Sequence, residues 1–76
     1  MSMTLEKAFG EELQKAREKS GLTQEKLGFE SGYHRTYISQ LERGQKSPTL
    51  KAIFKIASAL SVKASDLVAR IERKSR

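Results

Sequence analysis

The sequence predicts an all-α fold of five short helices. Aliphatic residues recur every three or four positions, and no stretch alternates apolar with polar as a half-buried strand does. Gly21, Gly32, Gly44 and the single proline, Pro48, fall between the apolar runs and mark breaks. The chain has 76 residues, room for one domain spanning 1–76. A domain of this size buries only about 60% of its unfolded surface, so its core is small.

The first helix is expected over Leu5 to Ser20, with Leu5, Phe9, Leu13 and Ala16 on one face and Gly21 suited to the left-handed position that ends a helix. Thr23 can cap the second, where Leu22 and Leu27 have the spacing of a hydrophobic staple. That helix stops at Gly32. A third begins near His34, with Tyr33 and Ile38 repeating the staple spacing, and ends at Gly44. Pro48 suits a loop or a first helical turn. In the fourth helix Leu50, Ile53, Phe54, Ala57 and Leu60 are expected on one face, and a fifth over Asp66 to Arg73 carries Leu67, Val68 and Ile71. Phe9, Phe29 and Phe54 are expected in the core or an interface, and Tyr33 in packing. The tail "RIERKSR" reads as a frayed, solvated end that adds non-specific attraction to a polyanion.

The net charge of +6 is uneven. Residues 1–34 hold five basic and six acidic groups, a net of −1, whereas residues 35–76 hold ten and three, a net of +7. Such an excess suits nucleic acid or an anionic membrane surface, although a merely solvated surface carries charge too. The last helix lacks the aromatic anchors of a membrane-surface helix. No cysteine is present, the N-terminus lacks the apolar stretch of a signal peptide, and Ile56 to Val62 is too short to span a bilayer. A cytoplasmic protein without a membrane partner is expected. His34 has no second histidine or cysteine near it, and the adjacent Glu11 and Glu12 point different ways on a helix. Neither a metal site, a cofactor nor an enzyme is expected.

The segment "GYHRTYISQLERG", residues 32–44, has only Ile38 and Leu41 as aliphatic residues. A helix that buries so little is explained if its remaining circumference faces a ligand. The second and third helices, joined by a turn at Gly32, have the pattern of a helix-turn-helix over about 23–43, with a recognition helix at about 34–43. Arg35 can donate two hydrogen bonds to guanine, Thr36 offers a hydroxyl and a methyl, and Gln40 can pair with adenine. Ser39 and Gln40 fall near the same face.

Over roughly residues 5–70 the chain resembles the lambda-repressor-like (XRE-type) helix-turn-helix family. The resemblance rests on "LTQE" opening the second helix, "SG" in the turn, "YIS" in the third, "LERG" closing it and "SPTL" opening the fourth. Within the family it is most similar to the controller proteins of restriction–modification systems, small homodimeric regulators without an effector domain. The resemblance implies that Arg35, Thr36, Ser39 and Gln40 contact bases. Gln24 would bond a phosphate and brace the recognition helix, Tyr37 and Arg43 would touch the sugar–phosphate backbone, and Lys46, Ser47 and Thr49 would continue the phosphate contacts. Arg17 would pair with Glu42 and tie the first helix to the third.

The implied activity is transcription regulation by a homodimer on a roughly palindromic double-stranded DNA operator, with RNA polymerase as a further partner and no small-molecule effector. The dimer surface is expected at 60–71, using Leu60, Val62, Leu67, Val68 and Ile71, several of which must also serve the core. Two departures from the family pattern stand out. Gly28 replaces a common Ala, at a helix-propensity cost of about 1 kcal/mol if exposed, and His34 stands where Ser, Asp or Thr usually caps the recognition helix. Rival readings are a DNA-binding antitoxin, a phage-type repressor and, from another class, a protein-interaction coactivator module.

Overall fold

The computed structural model describes residues 3–75. Within them the order is α1 (Leu5–Lys19), α2 (Gln24–Ser31), α3 (Arg35–Glu42), α4 (Leu50–Ala59) and α5 (Ala64–Ser75), with no strand. Helix α1 packs against α3 and α5, α2 packs against α3 and α4, and α4 closes onto α5. The fold is all-α.

Capping explains where the helices begin. The hydroxyls of Thr4, Thr23 and Thr49 accept the backbone N–H of Lys7, Lys26 and Ala52 at 3.1, 3.0 and 3.0 Å. His34 does the same work through its ring, with Nδ1 accepting the Thr36 N–H at 3.0 Å. In the neutral ring the proton then sits on Nε2. The departure at position 34 is thus a cap of different chemistry.

The buried set comprises Ala8, Phe9, Leu13 and Ala16 from α1, Leu27 from α2, Ile38 and Leu41 from α3, Ala52, Ile56 and Ala57 from α4 with Leu60 at its end, and Leu67 and Ile71 from α5. Two glycines inside helices allow the close approaches. A Cβ on Gly10 would lie 2.6 Å from the Leu41 carbonyl oxygen, so α1 touches the end of α3 backbone to backbone. One on Gly28 would lie 2.5 Å from the Tyr33 carbonyl oxygen. The glycine at 28 is buried and required, so the propensity argument for an exposed site does not apply there.

Three expectations need correction. Leu50 and Phe54 do not line the core face of α4: they are 70% and 59% exposed, and Ala52, Ile56 and Ala57 turn inward. Apolar residues cover more than half of this helix's circumference, so periodicity alone does not select the buried face. Leu5, at the first turn of α1, is likewise exposed; Phe29, 80% exposed on α2, is outside the core, which leaves the interface half of its expectation. Of the residues expected at the dimer surface, Leu60, Leu67 and Ile71 are the ones that serve the core, whereas Val62 is half-buried and Val68 exposed. Finally, the tail is helical through Ser75, because Lys74 reaches Glu11 at 3.2 Å and Glu12 at 2.9 Å on α1. Arg76, the end of the tail segment, lies outside the described residues.

Glu12 is buried beside α5 and also receives Lys15 at 3.3 Å. Burial pushes its carboxyl up, but the hydrogen bonds from Lys74 and Lys15 outweigh that and hold it below the usual carboxylate value. A depressed carboxylate contributes stability that is present above the unfolded value of about 4.3 and lost as pH falls through the folded value. Glu12→Gln should therefore be less stable than wild type at pH 7, and the gap should close as pH drops below about 4.3. Urea unfolding at pH 7 and in acid measures both; a gap that persists unchanged in acid would contradict the assignment.

Candidate nucleic-acid interface

Helices α2 and α3 meet across a turn in which Gly32 takes φ 84°, and the Tyr33 N–H donates to the Gly28 carbonyl at 2.8 Å. That compact corner sets the angle at which α3 emerges. Of the eight residues of α3, only Ile38 and Leu41 are buried. Arg35 and Thr36 are exposed, and Ser39 and Gln40 half-buried.

Gln24, Arg35, Thr36, Ser39 and Arg43 line one open, shallow cleft that runs from the start of α2 along α3. Gln40 lies one turn beyond Thr36, outside the lining of that cleft. Arg35, Arg43 and Lys46 make no ion pair among the described residues, so their charge is available to an anion. Lys46 is exposed in the α3–α4 loop.

The other residues expected at DNA have partners within the protein. The Ser47 hydroxyl donates to Glu6, which this bond lowers below its usual carboxylate value, and Ser47 lines a different, apolar groove with Leu5, Phe9, Pro48, Ile53, Val68 and Ile71. The structure does not bring Ser47 to the α3 cleft. The Thr49 hydroxyl caps α4. Tyr37 packs on Tyr33, ring centroids 4.9 Å apart and planes tilted by 40°, and Lys55 Nζ lies 5.6 Å above the Tyr33 ring. Burial pushes the Tyr37 phenol up, helped by Tyr33 and opposed by the Thr49 backbone.

Beneath the cleft lies a polar network. Glu42 accepts from Arg17 Nε, from Arg17 Nη2 at 3.1 Å and from Gln24 Nε2 at 2.9 Å. Arg17 Nη1 donates to the Leu22 carbonyl at 2.9 Å. The hydrogen bonds that Arg17 donates to Glu42 raise its guanidinium above its ordinary value against the opposing effect of burial. The Gln24–Glu42 bond was not legible in the sequence, where the two residues stand 18 positions apart.

A glycine-turned helix pair whose second helix shows a polar, partly cationic face is the framework of a helix-turn-helix DNA-binding protein. Sequence comparison agrees: the helix-turn-helix profile matches residues 13–67, and the chain belongs to the XRE-type helix-turn-helix family of non-enzymatic DNA-binding regulators. It is 44% identical over 69 residues to control protein C.BamHI of Bacillus amyloliquefaciens, covering 90% of this chain and 85% of that one. With control protein C.SmaI of Serratia marcescens it shares 34% identity over 68 residues, 90% of this chain and 81% of the relative. Among solved structures it superimposes on the restriction-modification controller protein C.AhdI from Aeromonas hydrophila with a TM-score of 0.80 at 40% identity, over 82% of this chain and 94% of that one. The clp gene regulator ClgR from C. glutamicum matches with a TM-score of 0.91 at 25% identity, over 100% of this chain and 97% of that one.

Arg17→Ala should cost on the order of 3 kcal/mol, because the Glu42 side chain, only 3% exposed, would be left without its guanidinium. Chemical denaturation reads the loss directly. Wild-type stability in this variant would rule out the ion pair as the tie between α1 and α3.

Proposed function

We propose that the protein is a homodimeric transcriptional regulator that reads a roughly palindromic operator, of the restriction–modification controller type. The observation that carries this reading is the cleft joining Gln24, Arg35, Thr36, Ser39 and Arg43, with the two arginines unpaired among the described residues. In it Arg35 supplies bidentate recognition of guanine, Thr36, Ser39 and Gln40 supply further base contacts, and Gln24, Arg43 and Lys46 hold phosphates. Tyr37 touches the backbone from the edge of α3, and Thr49 contributes through the start of α4. The identity shared with the control proteins supports the subtype.

One α3 covers one stretch of major groove, and a second copy doubles the reading across half-sites about 34 Å apart. The surface available for pairing is the apolar stripe left exposed by folding: Leu5, Leu50, Phe54 and Val68, with Ile53 half-buried between them. Val62 continues it beside Phe54. None of these residues lies on α3, so pairing through them leaves both recognition helices free. With occupancy set by protein concentration through dimerisation, the protein suits control of its own promoter, where RNA polymerase is the neighbouring machinery.

Selection from a random duplex pool should return a two-fold symmetric motif. Arg35→Ala should then lose ~1–3 kcal/mol of binding and relax preference at one base pair per half-site. An Arg35→Ala variant that binds the selected duplex as tightly as wild type would favour the protein-interaction reading. Phe54→Glu should remain folded, since its side chain is 59% exposed, and shift the protein to monomer in analytical ultracentrifugation. An unshifted dimer would move the interface elsewhere.

A further inference from the structure

We infer that Glu42 is a positioning residue that aims the Gln24 amide at a DNA phosphate. The inference rests on the DNA-binding reading above and adds a role for a residue that itself meets no nucleic acid.

Gln24 is the first residue of α2 and lines the cleft beside Arg35, Thr36, Ser39 and Arg43. Its amide has two ends, an acceptor oxygen and a donor nitrogen, and a phosphate can use only the donor. Glu42 decides which end faces where. A carboxylate paired to a guanidinium is ionised and accepts only, so it can hold the NH₂ end of Gln24 and never the oxygen. The bond, Nε2 to Oε1 at 2.9 Å, uses one of the two N–H groups and leaves the other for an anion in the cleft.

The carboxylate is itself held still. Arg17 grips both of its oxygens, and Arg17 Nη1 fixes the guanidinium to the Leu22 carbonyl, two residues before Gln24. A long side chain that normally samples many rotamers is therefore ordered before DNA arrives, which lowers the entropy lost on binding. The negative charge does not repel the phosphate strongly, because Glu42 is 3% exposed and paired with Arg17.

The test compares wild type, Gln24→Ala, an Arg17→Met/Glu42→Met pair and the combination of all three changes. The methionine pair replaces the ion pair with apolar groups of similar length, an exchange buried pairs often tolerate, and circular dichroism selects the temperature at which all four are folded. Binding to the duplex recovered by selection is measured together with phosphate-ethylation interference and salt dependence. Gln24→Ala should lose ~10-fold or more in affinity, as expected for a hydrogen bond to a charged group, and one phosphate per half-site should vanish from the interference pattern. The methionine pair should lose the same phosphate and at least as much affinity, since it also frees the C-terminal end of α3, and adding Gln24→Ala to it should cost nothing further. The salt slope should stay as in wild type, because no DNA-facing cation has been removed. Additive losses, or an intact phosphate pattern in the methionine pair, would overturn the proposal. A harmless Gln24→Ala in a protein that binds DNA overturns the proposal alone, whereas a wild type that enriches no duplex overturns the regulator reading with it.

Discussion

The ion pair between Arg17 and Glu42 is the contact on which the placement of the polar face of α3 depends. Helix α3 has eight residues and buries two side chains, far too little to be stable or oriented by itself. Its direction must come from its ends. At the N-terminal end the Gly28–Tyr33 hydrogen bond and the His34 cap set the corner with α2. At the C-terminal end Glu42 is bound to α1 through Arg17 and to α2 through Gln24. A buried ion pair is a weak source of stability compared with apolar packing. Here every described buried polar side-chain atom has a partner, and the gain is geometrical: three helices share one carboxylate.

Gly10 belongs to the same construction. Without a Cβ at this position the backbone of α1 can rest against the last carbonyls of α3, and only at that distance does Arg17, two turns later, reach Glu42. Steric and electrostatic requirements therefore coincide on one seam. A side chain at position 10 would separate the helices whose approach the ion pair needs.

The small core also divides the outer surface. A chain of this length cannot bury all its apolar side chains; apart from Phe29 on α2, the exposed ones lie on the start of α1, α4 and α5 while α3 stays polar. Leu50, Phe54 and Val68 are exposed on that side and Ser47 turns toward it, away from the cleft. The two faces impose different chemistry: one offers hydrogen-bond donors and cations, the other exposed apolar side chains.

The sequence by itself determined the helices and most of their ends, since hydroxyl caps, glycine breaks and apolar spacing act within a few residues. It also determined that α3 has a polar face, because Ile38 and Leu41 are the only aliphatic residues available to bury. Tertiary structure alone decided which side of α4 is inside, where Leu50, Phe54 and Ile56 compete on nearly equal terms of periodicity. It likewise placed Leu60, Leu67 and Ile71 in the core, extended α5 through the reach of Lys74 to α1, turned Ser47 toward Glu6 and joined Gln24 to Glu42. Those outcomes depend on groups far apart in the chain meeting in space, and a local pattern carries no term for that distance.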